Sequence, residues 1–319
     1  YSAFNCHLLL IGDTAQLPPA MQEESVALDK GELETYGLQI EEFVLKQVLR
    51  QVEDSGILHY ATELRNLIEK NDLSRDFRFH KNKFKDIVLV GGEDLIEEID
   101  KAYQEVGVEE TMIVTRSNKM SNLYAHGVRN RVFYKEDRLS NGDLLMLSKN
   151  NYYWAKEYEE FDFIANGDIV EIVRIHKYHD MYDLSFVDVT LRFLDYQKEI
   201  EARLLLDSLE TKSPSEQEKL NEILYLQLME DYADIKNKKK KHELLKEDQY
   251  FNALQVKFAY AITCHKAQGG EWKYVFIDIG FKQKETYDMT DYKWLYTAIT
   301  RASEKVFLIN FPENFIEKT

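Results

Sequence analysis

Apolar residues recur along this chain in two rhythms. Short, near-continuous apolar runs at 6–11, 40–48, 86–90, 111–115, 274–278 and 306–310 are the pattern of parallel strands whose two faces are both covered. Between them lie stretches with helical spacing. In 55–70 the apolar positions Ile57, Leu58, Ala61, Leu64 and Ile68 share one face, and 93–106, 118–133 and 291–301 are read as further helices. Strand alternating with helix predicts an α/β fold built on a parallel sheet. The first run breaks at Gly12-Asp13, as a fully buried strand does when it ends at a functional loop.

The rhythm changes at Ser140. Asn141-Gly142-Asp143 and Asn166-Gly167-Asp168 are turn signals, each opening a strand-like run, 144–147 and 169–175. Stretches 184–194 and 199–206 alternate apolar and polar residues, as half-buried antiparallel strands do. A small β-barrel-like module is expected here. Ser213-Pro214-Ser215-Glu216 is a capping box with proline in the first turn. It starts a helix expected to run through Leu220, Ile223, Leu224, Leu228 and Tyr232 towards the basic run 238–241. The α/β rhythm then resumes with a strand over 258–263, so one α/β domain is interrupted by a β-plus-helix insertion.

Composition narrows the class. A chain of 319 residues with 44% hydrophobic and 13% aromatic content can bury a real core. It contains no run of about eighteen apolar residues to span a bilayer. No secretory pattern opens it, and two cysteines, Cys6 and Cys264, cannot form a disulfide framework; a reducing, cytoplasmic setting is expected. Charge points away from a simple nucleic-acid binder: 41 basic against 57 acidic residues give −16. A local groove, and not the total, sets the potential at a phosphate. His176 and His179 lack a second ligand pair for a metal. Lys238 to Lys241 reads as a solvated helix face, and no paired carboxylates or serine–histidine pattern support nuclease or hydrolase chemistry.

Four short segments carry more. Gly12-Asp13-Thr14-Ala15-Gln16-Leu17-Pro18-Pro19 follows the first apolar run, and Leu49-Arg50-Gln51 the second. Thr263-Cys264-His265-Lys266-Ala267-Gln268-Gly269-Gly270-Glu271 follows a third, and Tyr296-Thr297-Ala298-Ile299-Thr300-Arg301-Ala302 closes the series. In this order they resemble superfamily 1 DNA helicases, and within them the RecD-type, 5′-to-3′ branch that includes exodeoxyribonuclease V alpha-type and Dda-type proteins. The resemblance covers nearly the whole chain. It implies a RecA-like motor domain of the P-loop NTPase type, with an inserted SH3-like β-barrel and helical segment. The implied divisions are 1–39 as a remnant of a first RecA-like domain, 40–139 and 251–319 as the second, and 140–250 as the insertion.

The resemblance also implies roles. Catalysis falls to Gln16, Arg50 and Arg301, with Arg301 as the arginine finger; arginine's planar fork suits the oxygens of a γ-phosphate gaining charge. Nucleotide contacts are implied for Gly12, Asp13, Gln16, Arg50, Gly269, Glu271 and Arg301. Single-stranded DNA is assigned to Thr115, Asn118, Thr263, His265 and Lys266, with Tyr152, Tyr153 and Trp154 of the insertion as further candidates; such tracks combine donors, positive charge and aromatic platforms. ATP and Mg²⁺ are the implied cofactors, and single-stranded DNA and recombination or repair proteins the implied partners.

One absence qualifies this. The chain contains neither Gly-x-x-x-x-Gly-Lys-Ser/Thr, which would cradle the phosphates, nor any Asp-Glu pair for Mg²⁺ and water. In the family both precede the Gly-Asp-x-x-Gln segment, which here begins near the start of a chain opening on Tyr1. The expectation is a C-terminal fragment with little ATPase activity alone, most Mg²⁺ ligands lying upstream. Two rivals stay open: an ATP-independent nucleic-acid-binding or scaffold relic of such a motor, and a motor on RNA, since backbone tracking accepts either sugar.

Overall fold

A serine followed by helical apolar spacing starts the first long helix. The computed structural model describes residues 6–20, 22, 24–45, 55–73, 77–158, 162–280 and 287–317. Two units divide the chain: Tyr1–Arg116 with Thr263–Thr319, and Ser117–Ile262.

In the first unit, α1 (Lys30–Thr35) is a short helix capped by Asp29. α2 (Gly56–Glu69) begins at Ser55, whose hydroxyl accepts from the backbone of Ile57 and Leu58. Asp86 doubles this cap, its carboxylate accepting from Ser55 Oγ (2.6 Å), Gly56 N (3.0 Å) and Ile57 N (3.2 Å). The helix buries Ile57, Ala61 and Leu64 of the face its spacing predicts, while Leu58 and Ile68 are only half-buried and Tyr60 and Leu67 complete the buried side. Then come β1 (Phe79–His80), β2 (Ile87–Val90), α3 (Leu95–Val106) and β3 (Thr111–Thr115).

The second unit opens with α4 (Asn118–Arg131), capped by Ser117. It continues with β4 (Leu144–Leu147), β5 (Ile169–Met181), β6 (Leu184–Phe193), β7 (Lys198–Leu205), α5 (Pro214–Asp231), α6 (Lys238–Lys246) and β8 (Leu254–Phe258). The five strands close into a barrel in the order β4-β5-β6-β7-β8, which leaves no unpaired edge. Helices α5 and α6 seal one side of it, packing Leu224, Leu228 and Leu245 against Leu184, Phe186 and Leu205. The Asn141-Gly142-Asp143 turn does more than reverse the chain. Asp143 is fully buried and its carboxylate accepts from Arg129 Nε (3.0 Å), Lys135 Nζ (3.0 Å) and Ser140 N (2.7 Å).

The chain returns to the first unit through β9 (Ala261–Thr263), α7 (Cys264–Ala267), β10 (Trp272–Asp278), α8 (Met289–Ile299), β11 (Ala302–Ile309) and β12 (Ile316–Glu317). The main sheet has the order β2-β11-β10-β3-β9, and the β2–β11, β11–β10 and β10–β3 pairs are all parallel. At its centre Val275, Phe276 and Ile277 are inaccessible, and the Phe276 and Phe307 rings stack at 4.2 Å. A mixed α/β architecture with a parallel sheet and a small barrel is therefore what the chain forms.

Four expectations need correction. Residues 6–11 form no strand: they run as irregular backbone with Leu9 and Ile11 more than 80% exposed. An apolar run becomes a strand only where a neighbour supplies ladder bonds, and none of the described residues does so here. Residues 40–45 are likewise not a strand, and 46–54, including Leu49, Arg50 and Gln51, lie outside the described residues. The run 258–263 is two strands, since β8 closes the barrel and β9 belongs to the sheet. The helix begun at Pro214 ends at Asp231, and the lysines belong to a second helix capped by Asn237.

Candidate functional site

The loop after Gly12 is shaped by Asp13. Its Oδ1 accepts from Ala15 N (3.1 Å), while the Asp13 carbonyl accepts from Gln16 N (3.1 Å), which makes a tight turn. The carboxylate also meets two groups distant in sequence. Arg65 Nη2 of α2 lies 2.6 Å from Oδ1, and the Tyr296 hydroxyl of α8 donates to Oδ2 at 2.9 Å. Arg65 in turn donates to the Tyr296 oxygen (2.7 Å) and to Glu69 (3.2 Å). Burial works against the Arg65 cation, but the bonds to Tyr296 and the charge of Asp13 outweigh it and hold its pKa above the ordinary value. Burial raises the Tyr296 phenol, against the bond from Arg65.

Further along, Leu17 fixes the loop from both sides. Its N–H donates to Thr297 Oγ1 (2.8 Å), and its carbonyl accepts from Gln268 Nε2 (2.7 Å). Ala15 and Leu17 are buried, whereas Gln16 is half-buried, its amide donating weakly to Asp13 (3.4 Å).

Arg301 sits on the other side of Thr297. It is only 3% exposed, and its fork donates to the Thr297 carbonyl (Nε, 3.0 Å), the Gly270 carbonyl (Nη1, 3.1 Å) and Thr300 Oγ1 (Nη2, 3.1 Å). Thr297 thus accepts from the Gln16 loop through its hydroxyl and from Arg301 through its carbonyl. Gln268 and Gly270 add a second bridge, because one reaches Leu17 and the other receives Arg301. Three of the four sequence segments meet in this cluster.

The turn between α7 and β10 is tight. Gly269 has φ +84°, a conformation that favours glycine, and a Cβ on Gly270 would lie 2.4 Å from the Trp272 ring. Gly270→Ala is therefore expected to cost about 1–3 kcal/mol through displacement of Trp272. Thermal melting by circular dichroism measures it; an unchanged midpoint would show that the ring has room to move.

The remaining candidates are placed as follows. Gly12 is exposed and packs beside Leu28; Glu271 is exposed at the start of β10. Thr263, His265 and Lys266 lie around the start of α7, with Thr263 half-buried and the other two reaching solvent. The surrounding protein lowers both the His265 and the Lys266 pKa through desolvation, and neither side chain has an ion pair or hydrogen bond among the described residues. Thr115 is buried at the end of β3. Asn118 is half-buried at the first position of α4, in the other unit. Trp154 and Tyr153 are taken up by packing, Trp154 Nε1 donating to the Asn252 carbonyl (2.8 Å) and the two rings meeting edge to face, while Tyr152 stays exposed.

Sequence reading missed Arg65, Gln268, Tyr296 and Thr297 as members of the cluster. The last three lie inside quoted segments, but nothing in spacing marked them as the fasteners. Arg65 gave no signal beyond being a charged residue on an amphipathic helix.

A metal finds little to hold it. Among the described residues no group of three His, Cys, Asp or Glu side chains is placed to bind one. His176 is bonded to Thr190 and His179 to Asp188. These residues therefore do not fit a Mg²⁺ site.

Residues 258–309 match the family of the UvrD-like helicase C-terminal domain. This stretch of helicase C-terminal character holds the 263–271 and 296–302 segments, and with them His265, Lys266, Thr297 and Arg301. Among solved structures, the chain is similar to the Pif1 helicase from Candida albicans at 14% identity and a TM-score of 0.41, over 96% of this chain and 64% of that one. It is similar to the Pif1 helicase from Bacteroides in complex with ADP-AlF3 and ssDNA at 13% identity and 0.40, over 97% and 63%. A structure of Bacteroides Pif1 bound to ssDNA gives 13%, 0.35, 97% and 63%. The chain thus spans less than two thirds of the length of these proteins. The comparison with curated proteins finds no match.

Proposed function

We propose that the chain is the C-terminal motor portion of an ATP-dependent DNA helicase or translocase, acting on single-stranded DNA in the 5′-to-3′ sense of the RecD-like branch. The observation that carries this reading is the cluster around Thr297. The loop bearing Gln16 and the turn bearing Gly269 and Glu271 are both fastened to the helix end that bears Arg301. A γ-phosphate is sensed best by groups that move together, because closure of a cleft then changes them as one body. On this reading Gln16, Arg50 and Arg301 face the phosphates, Thr115, Thr263, His265 and Lys266 lie along the DNA backbone, and Asn118 is proposed as a DNA contact of the other unit. The cation of Lys266, without an ion pair among the described residues, is the group such a backbone would seek.

On this reading the phosphate loop and the Mg²⁺ ligands come from outside these 319 residues. Turnover of ATP by the purified 319-residue chain is therefore expected to be at background, with or without single-stranded DNA, in a coupled ATPase assay. Robust turnover by this chain alone would contradict the assignment of roles.

A second reading, an ATP-independent nucleic-acid-binding relic, draws on one observation. The Arg301 fork is occupied by its own main chain and Thr300. If the longer protein binds DNA but never turns over ATP, the relic is the better account.

A further inference from the structure

The segment Arg78-Phe79-His80-Lys81-Asn82-Lys83-Phe84-Lys85 stands out from the rest of the chain. It holds four of the chain's 41 basic residues and no acid, in a protein of net charge −16. It lies in the first unit, around the turn that follows β1, and belongs to none of the segments in the Thr297 cluster. Its side chains sort by type. Phe79 is buried, whereas Arg78, Lys81, Lys83 and Lys85 are all exposed. Asn82 takes a left-handed conformation (φ 60°) at the turn.

The usual fate of such lysines is to be paired or simply solvated. Here two of the nearby carboxylates are already committed. Asp86, the next residue, spends both oxygens on the start of α2, with Ser55, Gly56 and Ile57. Glu317 of β12 pairs with His80 at 2.7 Å. Among the described residues Lys81 and Lys85 have no ion pair or hydrogen bond, and Lys83 approaches only His59 Nε2 (3.4 Å) and the Phe84 ring (5.2 Å). The field of these cations is felt locally: burial lowers the pKa of His59, and Lys83 lowers it further. Beside them opens a cavity of about 380 Å³ lined by Phe79, His80, Lys81, Asn82, Phe84 and Lys85, with the start of β2 as its floor.

Uncommitted ammonium groups, a half-buried aromatic ring and a concave surface together suit a phosphodiester chain, where cations meet phosphates and a ring can receive a base. We propose that the Lys81–Lys83–Lys85 surface is a second nucleic-acid contact, separate from the Thr263–Lys266 segment, that binds a strand through its phosphates without regard to sequence or nucleotide state. The proposal rests on the nucleic-acid reading above.

Its test uses the whole chain without ATP and a labelled oligothymidylate, with anisotropy read across a salt series. The triple variant Lys81→Glu, Lys83→Glu, Lys85→Glu is compared with Lys266→Ala and with the unaltered chain. The exposed positions leave the melting midpoint unchanged. The triple variant is expected to weaken binding at least about tenfold at low salt, and to reduce the slope of log K against log salt by about 2, the release expected for three single-strand phosphate contacts. Lys266→Ala is expected to change the slope by less than one.

A triple variant with unaltered affinity and slope, while Lys266→Ala binds more weakly, would overturn this proposal and leave the earlier reading standing. No oligonucleotide binding by the unaltered chain would remove both. Heparin binding that disappears in the triple variant while oligonucleotide binding stays would assign the surface to another polyanion, and the proposal would fall.

Discussion

Replacing Arg301 by alanine in the longer protein is expected to lower DNA-stimulated ATP turnover by about 10³-fold or more, the range over which an arginine finger acts. Arg301 lies in the segment 296–302, and its fork is aligned by Thr297, Thr300 and Gly270, so it is held before any phosphate arrives. Preorganised charge stabilises a transition state without reorganisation at the moment of reaction. The same bonds give Arg301 a structural share, and losing them costs about 1 kcal/mol each. Arg301→Lys separates the two roles. Lysine keeps the charge but lacks the fork, so turnover should still fall sharply while the melting midpoint recovers in part. Loss of turnover that only tracked the loss of stability across both variants would make Arg301 a structural residue.

The largest effect on stability is expected at Asp143→Ala. Arg129 and Asp143 are 3% and 0% exposed as side chains, and Asp143 is the anchor for Arg129 and Lys135 together. Alanine would strand a buried guanidinium that also lies 4.8 Å over the Phe258 ring. Breaking one side of a buried pair costs about 3–5 kcal/mol, more than forming the pair contributes, because the remaining charge stays desolvated. Urea unfolding of the 319-residue chain measures it. If Arg129→Leu with Asp143→Leu together cost less than Asp143→Ala alone, the penalty belongs to the stranded charge. A loss below about 1 kcal/mol for Asp143→Ala would mean that water reaches Arg129.

Much of the fold was legible because its signals are local. The strand 111–115 and the strand 144–147 fall where the apolar runs put them, and α5 begins after Ser213, whose hydroxyl caps it. What failed was the inference from an apolar run to a strand in the absence of a partner. Leu8 to Ile11 have the composition of a buried strand and no ladder among the described residues. The break between Phe258 and Ala261 was hidden because one continuous apolar run serves two different sheets.

The candidate site was legible as segments but not as a cluster. Nothing in residues 12–19 shows that Leu17 will bond to Thr297 or that Asp13 will seek Arg65, since these pairings depend on which elements the sheet brings together. The Asn141-Gly142-Asp143 turn teaches the same lesson. Its glycine was readable as a turn residue, whereas the burial of its aspartate follows from where Arg129 lies on α4.

The central claim is that this chain is part of a working motor. Steady-state ATP turnover by the longer protein, measured with and without single-stranded DNA, tests it most directly. Low turnover without DNA and strong stimulation by it are expected. Tight DNA binding with no turnover under either condition would contradict the motor and leave the binding relic in its place.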